Sequence, residues 1–587
     1  MREAVVVAAA HRVAGDQMQR RTFALSAAST AAVVLAGTLA AAPAPAGAAT
    51  PAAARTASDA SAVAAPKWTG CATSAYPRLQ CATVRVPLDH ARPGGRKITL
   101  ALSRVPHTAR TYQGPLLVNP GGPGGSGLSL AGFVAESLPA EVAAQYDVIG
   151  FDPRGVGRSE PRLDCRPGHF DPVRLDSVPR DAQAEQANVQ RAGDFARSCA
   201  QRHHDVLPHL GTVAAARDME VIRRALGSPR INYFGYSYGT YLGAVYAKLY
   251  PHRVRRAVLD SVVDPKGVWY EANLAQDVAF DARHKAFAAW VAAHDDEYGL
   301  GTDPADVEAA WYGMRDAVRE EPAAGRVGPS ELEDTYLPGG YYNGYWPELA
   351  EAFAAYVNDG DERPLGAAYD THGAVDAAGD NGYSVYTAVQ CRDASWPRDW
   401  RTWHEDMTAT HAKAPFMTWN NAWYNAPCAF WPGTSLTPPD ISNRKLPPVL
   451  LFQATDDAAT PYQGAVNLRR ALDRSRLVVE EGGGNHGITL SGNGCLDRRL
   501  AAYLATGEVP RRGGATGRVG GADAVCEALP EPEAEADSPA GDSGAEAEAG
   551  AKSGARAGGS GAGSDAPGRG DGRTRGAELH RLLGFRA

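Results

Sequence analysis

One short stretch of this chain places a hydroxyl nucleophile at a sharp turn. The pentapeptide GYSYG, residues 235–239, fits the pattern Gly-x-Ser-x-Gly and lies between an apolar run and a stretch of helical composition. A serine between such a strand and helix sits on a strained turn that exposes its side chain, and the helix N-terminus favours negative charge developing there. The pentapeptide alone is a weak signal, but its setting predicts that Ser237 is a nucleophile.

A serine hydroxyl reacts poorly unless a neighbouring base takes its proton. His486 lies in the Gly-rich stretch EEGGGNHGITL, directly after an apolar run of strand type. It follows Ser237 in the chain, as the base does in the order serine, acid, histidine, whereas His203, His204 and His209 precede it. We therefore predict that His486 is the base.

A carboxylate must then orient the imidazole and stabilise its charged form. Asp456 and Asp457 follow the apolar run at 447–455, and spacing alone does not choose between them. Asp260 and Asp264 follow an earlier strand-like run and offer a second position for the acid. The competing interpretation of the Asp456–Asp457 pair is a turn that caps the next helix.

Acyl transfer also needs two N–H donors for the oxyanion. The backbone N–H of Tyr238, directly after the nucleophile, is one candidate, and Gly122 in the loop NPGGPGGSG (119–127) is the other. That loop lacks the Gly-Lys-Ser/Thr of a phosphate-binding loop, and DPRGVGRS (152–159) lacks a dinucleotide-binding fingerprint. We expect 152–159 to brace the site, and such a triad needs no metal or organic cofactor.

These residues need a scaffold that brings strand ends together. Short, continuously apolar runs alternate with helical stretches, which favours a mostly parallel sheet with helices on both faces. The predicted strands are 114–120, 146–152, 231–235, 255–262, 447–455 and 475–482. Between 265 and 446 strand-like runs are scarce, and Trp, Tyr, Ala and Asp are frequent. We interpret that segment as a mostly helical insertion, against the alternative of a separate second domain.

The N-terminal residues have the composition of an export signal. Two arginines (20–21) precede an apolar, Ala-rich stretch, and small residues with an Ala-Gly-Ala site at 46–48 follow. The arginine pair also resembles a twin-arginine signal. The alternative is a membrane anchor, which the interrupting Ser, Thr, Gly and Pro residues disfavour. We expect cleavage, a secreted product and no stable membrane insertion.

Eight cysteines and no Cys-x-x-Cys agree with export and disulfide formation rather than metal binding. Pairing each cysteine with its neighbour is the simplest of 105 arrangements: 71–81, 165–199, 391–428 and 495–526. A net charge of −8 gives no reason to expect nucleic-acid binding.

Five motifs in one order resemble a known family. NPGGPGGSG, DPRGVGRS, GYSYGTYLGAVYAKLYP, DDAATPYQGA and NHG are similar to those of the secreted bacterial tripeptidyl aminopeptidases, relatives of prolyl aminopeptidases among the α/β-hydrolases. The family's acid lies in an Asp-x-x-Thr-Pro setting, which implies Asp457. Its Gly-His-Gly ending appears here as Asn485-His486-Gly487, and Pro120 stands where prolyl aminopeptidases carry a histidine, which favours the tripeptidyl branch.

The resemblance implies an α/β-hydrolase fold with a helical cap, and a serine exopeptidase that releases short peptides, tripeptides in this branch, from free N-termini. The charged α-amine would need a carboxylate partner in the cap. Candidates that the sequence does not rank are Glu271, Asp277, Asp295, Asp296, Glu297 and Asp393. An esterase, lipase or amide hydrolase with the same triad is the nearest alternative, and a non-catalytic surface-binding protein is a second. Epoxide hydrolases and dehalogenases are disfavoured because they normally place an aspartate at the position of Ser237.

The chain thus divides into predicted segments, given in order. They are a signal peptide (1–48), a linker (49–65), the first part of the core (66–264), the cap (265–446), the C-terminal part of the core (447–526) and a disordered tail (527–587). The tail has almost no large apolar residues and so buries too little surface to offset its chain entropy. Its final residues, GAELHRLLGFRA, have the composition of a short helix. Peptide length preference and oligomeric state are not predicted.

Overall fold

A single sheet of ten strands runs through the part of the chain that the computed structural model describes, residues 63–534 and 569–584. The strands are β1 (Thr69–Gly70), β2 (Gln80–Pro87), β3 (Lys97–Val105), β4 (Pro115–Asn119), β5 (Asp147–Phe151), β6 (Ile231–Tyr236), β7 (Val254–Asp260), β8 (Val449–Ala454), β9 (Ser475–Glu481) and β10 (Ala524–Glu527). Their order across the sheet is β1-β2-β3-β5-β4-β6-β7-β8-β9-β10. Strands from β5 to β10 in this order pair in parallel, and β1, β2, β3 and β5 pair antiparallel.

The six predicted strands are β4 to β9. Every residue of β4, β6 and β8 is buried, because helices cover both faces of the sheet and leave no solvent side that would favour polar residues. The sequence analysis missed β1, β2, β3 and β10. In β2 and β3 the apolar residues alternate, as Val84 and Val86 do, which is the pattern of a strand near a sheet edge.

Helices on both faces complete the core and build two apolar clusters, one on each side of the sheet. The helices before the insertion are α1 (Leu128–Ser137), α2 (Ala140–Ala143), α3 (Ala182–His203), α4 (Thr212–Ala225) and α5 (Tyr238–Leu249). In α4, Met219 and Ile222 lie on the helical face that packs on the sheet and are fully buried.

The connection from β7 to β8 is a helical cap with an apolar cluster of its own. Its helices are α6 (Tyr270–Ala293), α7 (Asp295–Tyr298), α8 (Pro304–Glu320), α9 (Pro329–Tyr341), α10 (Trp346–Asp359), α11 (Glu362–Ala368), α12 (Ala377–Asp393), α13 (Trp400–His411) and α14 (Thr418–Asn425). The fold is therefore the α/β-hydrolase arrangement with a helical cap that the sequence predicted.

The segment that leads into α3 also packs against the cap, although the sequence analysis assigned it to the core. The indole of Trp423 donates to the carbonyl of Ser177 at 2.7 Å, and Arg174 contacts Glu331 at 2.7 Å. The Trp400 indole likewise donates to Glu185 in α3. These contacts join segments far apart in the sequence, so no local sequence pattern predicts them.

After the cap the chain returns to the sheet through α15 (Gln463–Ala471) and α16 (Gly494–Thr506), and the last described element is α17 (Arg569–Leu583). The prediction of a disordered tail over 527–587 differs from the structure here, since Glu527 ends β10 and 569–583 is helical. The local sequence of α17 contains three glycines and is a poor helix former. The helix is stabilised instead by packing, because Leu579 and Leu583 are buried against the folded core.

Four disulfides join the cysteines in the predicted neighbour pairs: Cys71–Cys81, Cys165–Cys199, Cys391–Cys428 and Cys495–Cys526. Such bonds persist in oxidising compartments outside the cytoplasm. Within the described residues, no helix combines the length and apolar character needed to cross a membrane. The predicted signal peptide (1–48) and almost all of the predicted linker (49–65) lie outside the described residues.

Candidate active site

Ser237 lies at the corner between β6 and α5. Its backbone has φ 54° and ψ −129°, a conformation that residues with a side chain rarely adopt and that costs roughly 1–3 kcal/mol. Its N–H donates to the carbonyl of Asp260 at 3.0 Å, which ties the corner to the end of β7. A Cβ on Gly235 would lie 2.5 Å from the carbonyl oxygen of Gly239, and a Cβ on Gly239 would lie 2.8 Å from Asn119. Both glycines are therefore required by close packing around the serine.

The Gly-Pro loop after β4 lies directly against this corner. A Cβ on Gly121 would come within 2.8 Å of the Cβ of Ser237 and within 3.2 Å of the Tyr238 nitrogen. Gly122, at φ +102°, lines the same cleft as Ser237 and Tyr238. The loop thus brings the backbone of Gly122 and the first turn of α5 to one side of the serine.

His486 and Asp457 form a buried pair at the edge of this cleft. The imidazole Nδ1 lies 2.9 and 3.0 Å from the two carboxylate oxygens of Asp457. That carboxylate also accepts from the N–H groups of Ala459 and Thr460, both at 2.9 Å, and from the Thr460 hydroxyl at 2.8 Å. These donors fix the orientation of the carboxylate. Because Nδ1 is held by Asp457, any proton transfer with a group in the cleft that Ser237 and His486 both line would go through Nε2.

The other predicted acids have different surroundings. Asp456 lies at the surface and pairs with Arg518 at 2.6 Å. Asp264 lines the cleft and accepts from Asn467 at 2.8 Å. Asp260 is fully buried behind the histidine loop and accepts from backbone N–H groups there rather than from the imidazole.

Contacts with the end of α9, which sequence reasoning missed, hold the loop of His486 in place. The His486 N–H donates to the carbonyl of Tyr341 at 2.8 Å, and Asn485 accepts from the N–H of Asn343 at 2.9 Å. The ring of Tyr341 meets the imidazole edge-on at 5.4 Å. Asn485, which stands where the family has the first glycine of Gly-His-Gly, therefore ties the loop to the residues at the end of α9. The difference from the family's motif was the only sign in the sequence that this residue has a special role.

Three carboxyl groups lie beneath the same loop: Asp260 and Glu480 are buried, and Asp497 is partly buried. Asp260 binds the N–H groups of Ile488 and Thr489, and Asp497 accepts from the N–H of Leu490 at 2.7 Å. Burial raises the pKa of Asp260 and of Asp497 to about 6 each, and it raises the pKa of Glu480 to about 7. The loop therefore rests on groups that titrate near neutral pH.

The loop at 152–159, which we expected to brace the site, is itself held by buried contacts. Arg154 is buried and contacts Asp218 through two nitrogens, at 2.7 and 2.6 Å. Asp152 accepts from Ser126 at 2.6 Å and from the N–H of Arg158 at 2.8 Å. These bonds fix the loop without placing a reactive group of it in the cleft.

The cleft opens between the sheet and the cap and has a volume of about 320 Å³, within the range of sites that hold small organic ligands. Cap residues that line it include Glu271, Asn273 and Gln276 of α6, Asn420 and Asn421 of α14, and Tyr341. No group of three or more metal-ligating side chains occurs in residues 63–534 and 569–584.

The predicted cap carboxylates differ in their position relative to the cleft. Glu271 lines the cleft, and Asp277 is buried behind it, where it accepts from the cleft residue Asn421 at 2.7 Å. Burial raises the pKa of Asp277 well above its ordinary value. Asp393 is buried beneath Tyr238 and accepts from the N–H of Thr212. Asp295, Asp296 and Glu297 form α7, outside the cleft lining.

Comparisons with known proteins agree with this geometry. Residues 114–489 match the family described as the alpha/beta hydrolase fold. The chain is 45% identical over 466 residues to the tripeptidyl aminopeptidase of Streptomyces lividans, which covers 77% of this chain and 86% of that protein. It is 32% identical to the serine protease Hip1 of Mycobacterium tuberculosis (76% of this chain, 90% of that protein) and 33% identical to carboxylesterase B of the same organism (76% and 89%).

Proposed function

Because the chain belongs to the α/β-hydrolase fold family, in the branch of the tripeptidyl aminopeptidases, we propose that it is a serine exopeptidase that releases tripeptides from free peptide N-termini. The observation that carries the proposal is the buried pair of His486 and Asp457 on the same cleft as Ser237 at its strained corner. A cap over that cleft suits an enzyme that admits only the end of a chain.

In the proposed mechanism Ser237 attacks the carbonyl of the scissile bond while His486 takes its proton through Nε2. Asp457 keeps the proton of the imidazole on Nδ1 and stabilises the imidazolium. The N–H groups of Tyr238 and Gly122 hold the oxyanion. His486 then returns the proton to the leaving amine, and water hydrolyses the acyl-enzyme by the same steps in reverse. No metal or organic cofactor enters these steps.

Recognition of the free N-terminus is assigned to the cap. Glu271 is the carboxylate of α6 that lines the cleft, and Asp277 lies behind it. Among the described residues, no basic side chain forms an ion pair with Asp277. A bound ammonium would therefore supply a positively charged partner for this buried acid. We assign Glu271 to the α-amine, with Asp277 and its donor Asn421 supporting the same end of the cleft.

The proposed setting is outside the cell. The four disulfides agree with export, and the predicted signal at 1–48, with its arginine pair, would direct it. Peptide substrates of an exported aminopeptidase are then extracellular, and the function needs neither a nucleic acid nor a membrane partner.

The function is tested with a fluorophosphonate probe and a set of arylamide substrates. We expect the probe to label the wild type and not Ser237→Ala, and we expect the wild type to release arylamine from tripeptides with a free N-terminus but not from acetylated ones. Labelling that persists in Ser237→Ala would refute the nucleophile. Rapid turnover of simple esters without any peptide cleavage would identify an esterase instead.

The same substrates test the amine site. Replacing Glu271 by Gln keeps the size of the side chain and removes its charge, so we expect kcat/KM for the free tripeptide to fall at least about tenfold. The rate at which the fluorophosphonate probe labels Ser237 should not fall with it, because the probe carries no α-amine. Glu297→Gln, an exposed cap residue in α7, is the matched control and should behave as the wild type. Equal kinetics for Glu271→Gln and the wild type would remove Glu271 from the site.

A further inference from the structure

The helix α17 packs over the loop that carries His486, although it is far from that loop in sequence. Leu579 and Leu583 are 0% and 3% exposed and belong to the apolar cluster that contains Tyr236, Ile488 and Leu490. A Cβ built on Gly487 would lie 2.6 Å from a methyl carbon of Leu583. The end of α17 therefore touches the residue next to His486.

Further along the helix, its residues contact Tyr342, the residue directly after α9, in the segment that also binds the histidine loop. The ring of His580 stacks on Tyr342 with centroids 4.2 Å apart and planes 21° apart. A Cβ on Gly576 would lie 2.5 Å from the Tyr342 hydroxyl, so the helix lies close to that ring. Glu578 accepts from the hydroxyl of Tyr76 at 2.5 Å. Tyr342 follows directly on Tyr341, whose carbonyl binds the N–H of His486.

The C-terminal end of α17 reaches the cleft itself. Leu583 and Gly584 line the cleft together with Ser237 and His486. In serine peptidases the imidazole gives its proton to the departing amine, so the leaving group lies next to the histidine. The helix end thus borders the space through which the chain after the scissile bond must leave.

We propose that α17 forms the wall of the leaving-group side of the cleft and thereby limits the length of the chain that can follow the scissile bond. This inference rests on the proposed exopeptidase function. A small leaving group, such as an arylamine or one or two residues, passes beside Leu583. A longer chain must displace the helix end and expose the leucines that it buries, which lowers the rate for long peptides selectively.

The test compares two leaving groups on the full-length enzyme. One substrate is a tripeptide arylamide, and the other carries the same tripeptide followed by a chain of about a dozen residues. We expect Leu579→Ser, at a buried residue of α17 outside the cleft lining, to raise kcat/KM for the long peptide at least about tenfold, while kcat/KM for the arylamide changes less than about threefold. Gly576→Leu, which forces the helix from Tyr342 by a different route, should give the same change of ratio.

The control is Arg581→Ser, an exposed residue of the same helix that should leave both values unchanged. An unchanged ratio of the two kcat/KM values in both helix variants would overturn the inference, and so would an equal loss for both substrates, since that marks a structural role alone. The proposed function is tested separately in the wild type. It fails if the enzyme reacts with the fluorophosphonate probe but, without the probe, cleaves neither substrate, and the inference then fails with it.

Discussion

Two adjacent aspartates have the same side chain and opposite environments. Asp457 is 2% exposed and accepts from His486 and from three groups of its own turn. Asp456 lies at the surface beside Arg518. The residue that can act on the imidazole is therefore fixed by which side of the turn faces the cleft.

We expect Asp457→Asn to lower kcat by roughly 10³–10⁴-fold, because an amide no longer stabilises the imidazolium or holds the required tautomer. Asp456→Asn is the matched control, since it makes the same chemical change one residue away and removes only a surface ion pair, worth at most about 1 kcal/mol. The measurement is kcat for a tripeptide arylamide after titration of active sites. Comparable losses in the two variants would contradict the assignment.

The sequence predicted Ser237 and His486 because each lies in a local motif that follows a strand. It did not choose Asp457 from spacing, since both aspartates follow β8 and only the resemblance separated them. Tyr341 was not foreseen, because its contribution is a backbone carbonyl and any residue type has one. The cap carboxylates were not ranked, because burial of Asp277 and exposure of Glu271 to the cleft depend on how α6 packs against α14.

At the scale of elements, the loop after β9 carries His486 on one side and lies over three carboxyl groups, two buried and one partly buried, on the other. For Glu480, burial raises the pKa from 4.5 to about 7. Between these two values the folded protein holds a proton that the unfolded chain has released. The free energy of unfolding therefore falls as pH rises through this range, by at most about 1.4 kcal/mol per pH unit for each such group.

Between about pH 5 and 7.5 we expect the melting temperature of the wild type to fall relative to that of Glu480→Gln, because only the wild type loses the Glu480 proton in this range. The Glu480 carboxyl accepts from Asn493 at 2.7 Å, and the amide oxygen introduced by the substitution can accept in the same way. The variant therefore removes the titration and keeps the contact. Glu481→Gln, exposed and adjacent, should follow the wild type. Equal slopes for all three proteins would show that Glu480 does not titrate in this window. The slope that all three proteins share comes from other groups, including Asp260, Asp393 and Asp497, whose pKa burial raises, and the buried histidines, whose pKa burial lowers.

The elements that the sequence predicted are those whose pattern is local. Continuous apolar runs identified β4 to β9, because a strand covered on both faces needs no polar residue. The helix α17 was not predicted as a packed element, because its glycines and charges disfavour a helix and its stability comes from two leucines on a distant surface. The segment before α3 was placed in the core for the same reason, since its cap contacts are long-range.

At the scale of the whole molecule, the site is assembled from three separated parts of the chain. The sheet supplies the serine, the acid and the histidine, the cap supplies the carboxylate at one end of the cleft, and α17 supplies a wall beside the histidine. Changes in the cap or in α17 can therefore alter which peptides are accepted without altering the chemistry at Ser237.

The pairing of the cysteines has a consequence for biosynthesis. The cysteines are bonded in consecutive pairs along the chain, from Cys71–Cys81 to Cys495–Cys526. A chain that enters an oxidising compartment from its N-terminus therefore presents each new thiol first to its native partner. Oxidation in the order of emergence suffices, and exchange of wrong bonds is not required. We expect the yield of active enzyme from an exporting host to be the same with and without its disulfide isomerase, and to fall when the oxidase is removed; dependence on the isomerase would contradict this order.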